Sequence, residues 1–133
     1  MSKSLKTVVE ETAEKLGWSC RFETQRRGRY HDGKWDREVT EKYVEFRQGS
    51  PAGEDFDITV VYDRLAEVPE KVYEFYQDFD VDEHVYMWLE AKQNGVGGVP
   101  SARVLVEDAE AIEQMLLDLS EALRDAYRER GIW

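Results

Sequence analysis

Residues 105–131 read LVEDAEAIEQMLLDLSEALRDAYRERG and carry the clearest structural pattern in the chain. Apolar residues recur in it at intervals of three and four, which is the spacing of one buried face of an α-helix. That face consists of Leu105, Ala109, Ile112, Leu116, Leu119, Leu123 and Ala126. Gly131 follows as a residue suited to end the helix. A face of this length must be covered, either by a sheet from earlier in the chain or by a second copy in a homodimer formed through this last helix.

A sheet is predicted upstream, where the hydrophobic period changes to two. Residues 18–25 and 56–62 alternate between apolar and polar side chains, and residues 35–48 form a weaker strand pattern between them. Residues 26–34 contain Gly28 and the pair Asp32-Gly33, which predicts a turn or hairpin loop. The short connections favour an antiparallel meander.

Helices are predicted on both sides of this meander in the sequence. The first covers residues 4–16, with Ser4 as its N-cap and Gly17 after its last turn. A second begins near Pro69. A third begins at Asp80, and its apolar side is assigned to Val85, Met87, Trp88 and Leu89. The sequence therefore predicts one α+β domain over residues 1–133, in the order αβββααα, with the helices packed on one face of a three-stranded antiparallel meander.

Composition narrows the class of protein. Among the 133 residues there are 18 Lys and Arg against 29 Asp and Glu, and the formal net charge is −11. No apolar run of about 18 residues exists, and no apolar signal core follows Met1, so neither a membrane span nor secretion is expected. Cys20 is the single cysteine, which fits a reducing compartment and predicts a cytoplasmic protein.

The sequence contains no recognised catalytic or cofactor motif. The two histidines, His31 and His84, have no metal-ligand spacing, and Cys20 falls on the apolar side of a strand, as a small core residue does. Asp78, Asp80 and Asp82 have the alternate spacing of a calcium loop, but the positions that need Gly and Glu hold other residues. Helix capping explains these carboxylates more simply. The expectation is a protein that is not an enzyme, with no cofactor and no metal.

Two surfaces are candidates for binding. The first is basic and aromatic and comprises Arg26, Arg27, Arg29, Tyr30 and Trp35; positive groups with aromatic rings are typical of single-stranded nucleic-acid sites. Acidic residues in the same span predict cross-strand ion pairs that offset much of this positive charge. An ordinary solvated strand pair is the alternative.

The second candidate surface is acidic and comprises Asp78, Asp80, Asp82 and Glu83. Rows of carboxylates can imitate DNA phosphates and occupy a basic groove, whereas ordinary solvated helix faces would look the same in sequence. Charge along the chain favours the acidic surface. Residues 51–133 hold twenty acidic and seven basic side chains, a net of −13, which repels phosphate, while residues 1–50 hold eleven basic and nine acidic ones.

Four blocks carry a resemblance: SPAGEDF at 50–56, DFDVDEHV at 78–85, GVPS at 98–101 and EDAEAI at 107–112. In these four blocks, the chain resembles a group of small acidic proteins from phages and mobile elements of gut bacteria. The resemblance implies a genomic setting and carries over no site residue. Together with the charge, it leads us to expect an accessory binding protein whose partner is a protein or a nucleoprotein complex. Such a binding protein could be an acidic DNA mimic that inhibits a host nuclease. The alternative is a nucleic-acid-binding module built on the basic hairpin.

Overall fold

The computed structural model describes residues 3–31, 33–93 and 101–132, and for residues 26–31, 34–39 and 92–93 it describes the backbone alone. The elements are α1 (Leu5–Lys15), β1 (Ser19–His31), β2 (Lys34–Gly49), β3 (Asp55–Tyr62), a short 3₁₀ helix (Leu65–Glu67), α2 (Val68–Asp78), α3 (Val81–Gln93) and α4 (Ala102–Glu129). This arrangement confirms the predicted α+β class and the order αβββααα.

The helix ends follow the signals in the sequence. Ser4 Oγ accepts a hydrogen bond from the Thr7 N–H at 3.2 Å and caps α1. Gly17 ends α1 with φ of 89°, a left-handed conformation that costs glycine little. At the other end of the chain, Ser101 Oγ caps α4 by accepting from the Val104 N–H at 3.3 Å.

The three strands form one antiparallel sheet in the order β1-β2-β3. Val44 in the central strand pairs with Phe22 of β1 and Val60 of β3, and these side chains all point towards the helices. Alternate residues lie on the opposite face, where Arg47 and Val61 are exposed. The helices therefore cover one face of the meander, and the other face is open to solvent.

The predicted loop over residues 26–34 is wrong in extent. β1 continues to His31 and β2 begins at Lys34, so the connection is only two residues long, with Gly33 at φ of 75°. The pairing register shifts between Arg27 and Arg29, as at a β-bulge. β3 pairs with β2 from Lys42 onward, so the outer part of the hairpin is a two-stranded ribbon. Alternation is weak in such a ribbon because neither face has to be buried in the core.

The main core lies between the inner sheet face and helices α1, α2 and α4. α4 contributes Leu116, Leu119, Leu123 and Tyr127, each at most 1% exposed. Tyr127, rather than the predicted Ala126, completes the apolar face, and its hydroxyl donates to the Leu65 carbonyl oxygen at 2.7 Å.

The first half of α4 packs on α3. Val85 and Trp88 of α3 form a second buried cluster with Leu105 and Ala109 of α4. The whole apolar face of α4 is thus buried within this chain. The sheet and the other helices therefore provide the cover for which a homodimer through the last helix was the alternative.

Across the residues that the structure describes, none of the helices combines the length and the apolar character needed to cross a membrane.

Candidate functional site

The predicted acidic residues lie at the junction of α2 and α3. Asp78 is the last residue of α2, and Asp80 precedes α3 and caps it, since its Oδ1 accepts from the Glu83 N–H at 3.0 Å. Asp82 and Glu83 occupy the first turn of α3. All four side chains are exposed. The structure therefore gathers them at one helix junction, and it gives Asp80 the capping role that the spacing indicated.

The outward side of α3 joins two of these carboxylates to two large apolar side chains. Tyr86 is 62% exposed and Met87 is 60% exposed, one helical turn after Asp82 and Glu83. We call these four residues, Asp82, Glu83, Tyr86 and Met87, the α3 surface. Tyr86 and Met87 are the most exposed of the large apolar side chains that the structure describes, and they lie side by side on the helix.

The prediction that Met87 lies on the buried side of α3 is wrong, because this side chain is exposed. Val85 and Trp88, each 8% exposed, define the buried direction. Successive helix residues turn by 100°, so Met87, two residues after Val85, points away from the α4 contact. Tyr86 was not singled out at all. The outward positions of Tyr86 and Met87 follow from the rotation of the helix about its axis once Val85 and Trp88 are taken as the buried residues.

A tight loop between β2 and β3 fixes the position of α3. The Ser50 N–H donates to the Glu54 carbonyl oxygen at 2.7 Å, and Ser50 Oγ accepts from the Glu54 N–H at 2.9 Å. From this loop, Glu54 Oε2 reaches His84 Nε2 of α3 at 2.9 Å, with both side chains largely buried. The His84 ring also packs against those of Phe56 and Phe79, with centroids 6.1 and 5.1 Å away. The pair thus fastens α3 to the sheet.

The same loop is tied to α4. The Ala52 N–H donates to Asp108 Oδ1 at 2.7 Å, and Asp108 is only 3% exposed. Three of the four resemblance blocks therefore contact one another, through Glu54 and His84 and through Ala52 and Asp108. Most of the fourth, at 98–101, lies outside the described residues. The sequence predicts neither contact, because the two partners of each lie at least 30 residues apart along the chain.

The basic and aromatic candidates lie on the two-stranded ribbon. In the backbone register, Arg26 pairs with Thr40, Arg29 with Asp36 and Tyr30 with Trp35. The side chains of Arg26, Arg27, Arg29, Tyr30 and Trp35 lie outside the part that the structure describes. The ribbon therefore brings these positions onto one element, of which residues 26–34 were predicted as a loop and Trp35 as part of a strand.

Nearer the core, ion pairs lie on the open face of the sheet, two across strands, as predicted (Arg21–Glu45 and Arg47–Asp57), and two within one strand. Arg21 contacts Glu23 at 3.2 Å and Glu45 at 3.9 Å. Arg47 contacts Glu45 at 3.5 Å and Asp57 at 3.6 Å. These neighbouring carboxylates offset the charge of both arginines, so this part of the open face offers little positive potential.

Cys20 behaves as the core residue that its position in the strand pattern predicted. It packs against the main core from β1 and is partly buried. Burial, followed by the charges of Glu10 and Glu14, raises the pKa of its thiol to about 12. The thiolate that a cysteine nucleophile needs is therefore scarce near neutral pH. Among the residues that the structure describes, no three His, Cys, Asp or Glu side chains are grouped as metal ligands.

Comparisons of the chain with protein-family models, with curated proteins and with solved structures found no match.

Proposed function

We propose that this protein is an accessory binding protein of a mobile element, and that its α3 surface binds a basic protein. The observation that carries the proposal is the exposure of Tyr86 and Met87 beside Asp82 and Glu83. Aromatic and Met side chains are enriched in protein interfaces, and Tyr is among the residues that most often dominate the binding energy. The flanking carboxylates favour a basic partner through electrostatic complementarity.

Charge and rigidity both support this assignment. The α3 surface belongs to the part of the chain with a net charge of −13, so its field attracts basic surfaces and repels nucleic acid. α3 is held from the inside by Trp88 and by the Glu54–His84 pair. A surface fixed in advance loses little conformational entropy on binding. With Asp78 and Asp80 beside it, the surface matches a DNA mimic that occupies the basic groove of a nuclease or another DNA-binding protein.

Charge reversal on α3 tests the proposal. The double variant Asp82→Lys/Glu83→Lys is expected to bind the partner at least about tenfold more weakly, because attraction at the contact becomes repulsion. The measurement is affinity capture from native host extract, followed by a binding titration of the captured protein. Added duplex DNA should displace that protein if it uses its DNA-binding groove.

A matched control separates a local contact from a general charge effect. Glu110→Lys/Glu121→Lys changes the net charge by the same amount at exposed positions on α4. This control should bind as the natural sequence does. Equal loss in both double variants, or no loss in either, would contradict a contact through the α3 surface.

One observation favours a second function, nucleic-acid binding by the hairpin. The ribbon formed by residues 25–41 extends past the point where β3 stops pairing. A two-stranded ribbon is narrow enough to enter the major groove of DNA, and this one carries Arg26, Arg27 and Arg29. It is the weaker candidate because acidic residues are interspersed along the same strands.

Filter binding at low salt tests this second function. If the ribbon binds nucleic acid, replacing Arg26, Arg27 and Arg29 together by Ala should weaken binding and flatten its salt dependence, because fewer counterions are released. A matched variant with Arg64, Arg103 and Arg128 replaced by Ala should keep both. Absence of binding to single-stranded and duplex DNA at low salt would eliminate the ribbon as a nucleic-acid site.

A further inference from the structure

One carboxylate of this protein is buried with half of its hydrogen-bonding capacity unused. Asp108 is 3% exposed, and its Oδ1 is satisfied by the Ala52 N–H. Its other oxygen, Oδ2, is buried and has no hydrogen-bond partner among the residues that the structure describes. Native proteins rarely leave a buried carboxylate oxygen unpaired, since the loss of hydration is not compensated.

Asp108 also lines a cleft between the loop after β2 and the second turn of α4. The other lining residues are Pro51, Ala52, Val104 and Glu107. The cleft thus combines two neighbouring carboxylates with apolar walls from Pro51 and Val104. Glu107 is exposed at its rim, where Arg103 contacts it at 3.1 Å.

We propose that this cleft binds the primary ammonium group of a lysine side chain that belongs to the protein partner. The inference rests on the proposed function, which requires a basic partner. An ammonium group donates up to three hydrogen bonds, which is enough for Asp108 Oδ2 and for the neighbouring Glu107 carboxylate. The methylene stem of lysine packs on Pro51 and Val104 while its charged end reaches the carboxylates.

The cleft explains why an acid at this position is compatible with burial. A cation at Oδ2, together with the Ala52 N–H at Oδ1, supplies the hydrogen-bond partners that a buried carboxylate requires. The Ala52 N–H orients Asp108 before the ligand arrives. The loop that carries Ala52 is in turn fixed to α3 through Glu54 and His84, so the lysine site and the α3 surface share one rigid support.

The probe for this site is n-butylammonium, which has the stem and the charged head of lysine. The readout is the amide resonance of Ala52 in a ¹H–¹⁵N NMR titration of the full chain, because that N–H bonds directly to Asp108. We expect a saturable shift at millimolar concentrations. 1-Butanol, which has the same stem without the charge, should give no saturable shift at the same amide.

Two variants make the test specific. Asp108→Asn should weaken n-butylammonium binding by about tenfold or more, since a hydrogen bond to a charged group is lost. Asp118→Asn, which removes an exposed carboxylate of α4, should leave the titration unchanged. If Asp108→Asn fails to fold, Glu107→Gln at the exposed rim replaces it, with weaker binding expected.

A shift that stays linear with concentration, or one that Asp108→Asn and Glu107→Gln leave unaltered, would overturn the lysine site and leave only a bound water to satisfy Oδ2. This titration contains no partner protein. It can therefore succeed where capture through the α3 surface fails, and it can fail where capture succeeds.

Discussion

Leu116→Ala is expected to lower the free energy of unfolding by about 2–5 kcal/mol. Leu116 is 1% exposed and belongs to the main core, where α4 meets the sheet and the other helices. Removing its three outer carbon atoms leaves a cavity that the rigid sheet and the long helix cannot close. A domain of this size is stable by only about 5–15 kcal/mol, so the loss is a large share of the total.

Urea unfolding followed by far-ultraviolet circular dichroism measures this loss. Val104→Ala is the control, since Val104 lies on the same helix and is 42% exposed. It should change stability by less than about 0.5 kcal/mol. A loss of that small size for Leu116→Ala would contradict the placement of α4 over the core.

Trp88→Ala is expected to lower the free energy that holds α3 against α4 by about 3–5 kcal/mol. Trp88 is 8% exposed and is the largest side chain of the cluster between α3 and α4. Because this cluster is small and is distinct from the main core, with Phe79 packed against both, its loss should release α3 locally before the rest of the domain unfolds. Binding through the α3 surface should weaken in the same variant, since the surface is no longer held in place.

Hydrogen exchange resolved by residue is the measurement for α3. The amides of α3 should lose protection in Trp88→Ala, while those of β2 and the second half of α4 keep it. Tyr86→Ala is the paired control on the same helix, and its exposed ring predicts almost no change in protection. Uniform loss of protection across the whole domain would show that α3 is not a separate unit.

Much of the fold could be predicted because the relevant signals are local. Ser4, Gly17 and Gly131 mark helix ends through interactions within a few residues, and the structure places each at a helix end. The spacing along α4 predicted its buried face, because a continuous row of leucines on one side of a long helix is expected only where that side is buried. Pairing of the strands followed from their short connections.

The extent of the hairpin could not be predicted, because both faces of a two-stranded ribbon are free to be polar. Without burial, nothing forces the alternation by which a strand is recognised. The outward position of Met87 was missed for a different reason. A Met on a helix suggests a core residue by type, and only the phase set by Val85 and Trp88 shows that it points to solvent.

The candidate site was predicted in part. The acidic residues Asp78, Asp80, Asp82 and Glu83 do come together at one helix junction, since they are adjacent in sequence. The contacts that fix this junction could not be inferred. Glu54 and His84 are 30 residues apart, and Ala52 and Asp108 are 56 apart. Such pairs depend on how whole elements pack, which spacing along the chain does not encode.

A photocrosslink from α3 tests directly whether a basic protein binds the α3 surface. A benzophenone amino acid replaces Tyr86 in one protein and Val61 in another; both positions are exposed, but Val61 lies on the open face of the sheet. After irradiation in native host extract, position 86 should crosslink to a basic protein, and position 61 should not. Crosslinks to that protein from position 61 alone, or none from position 86, would contradict binding through the α3 surface.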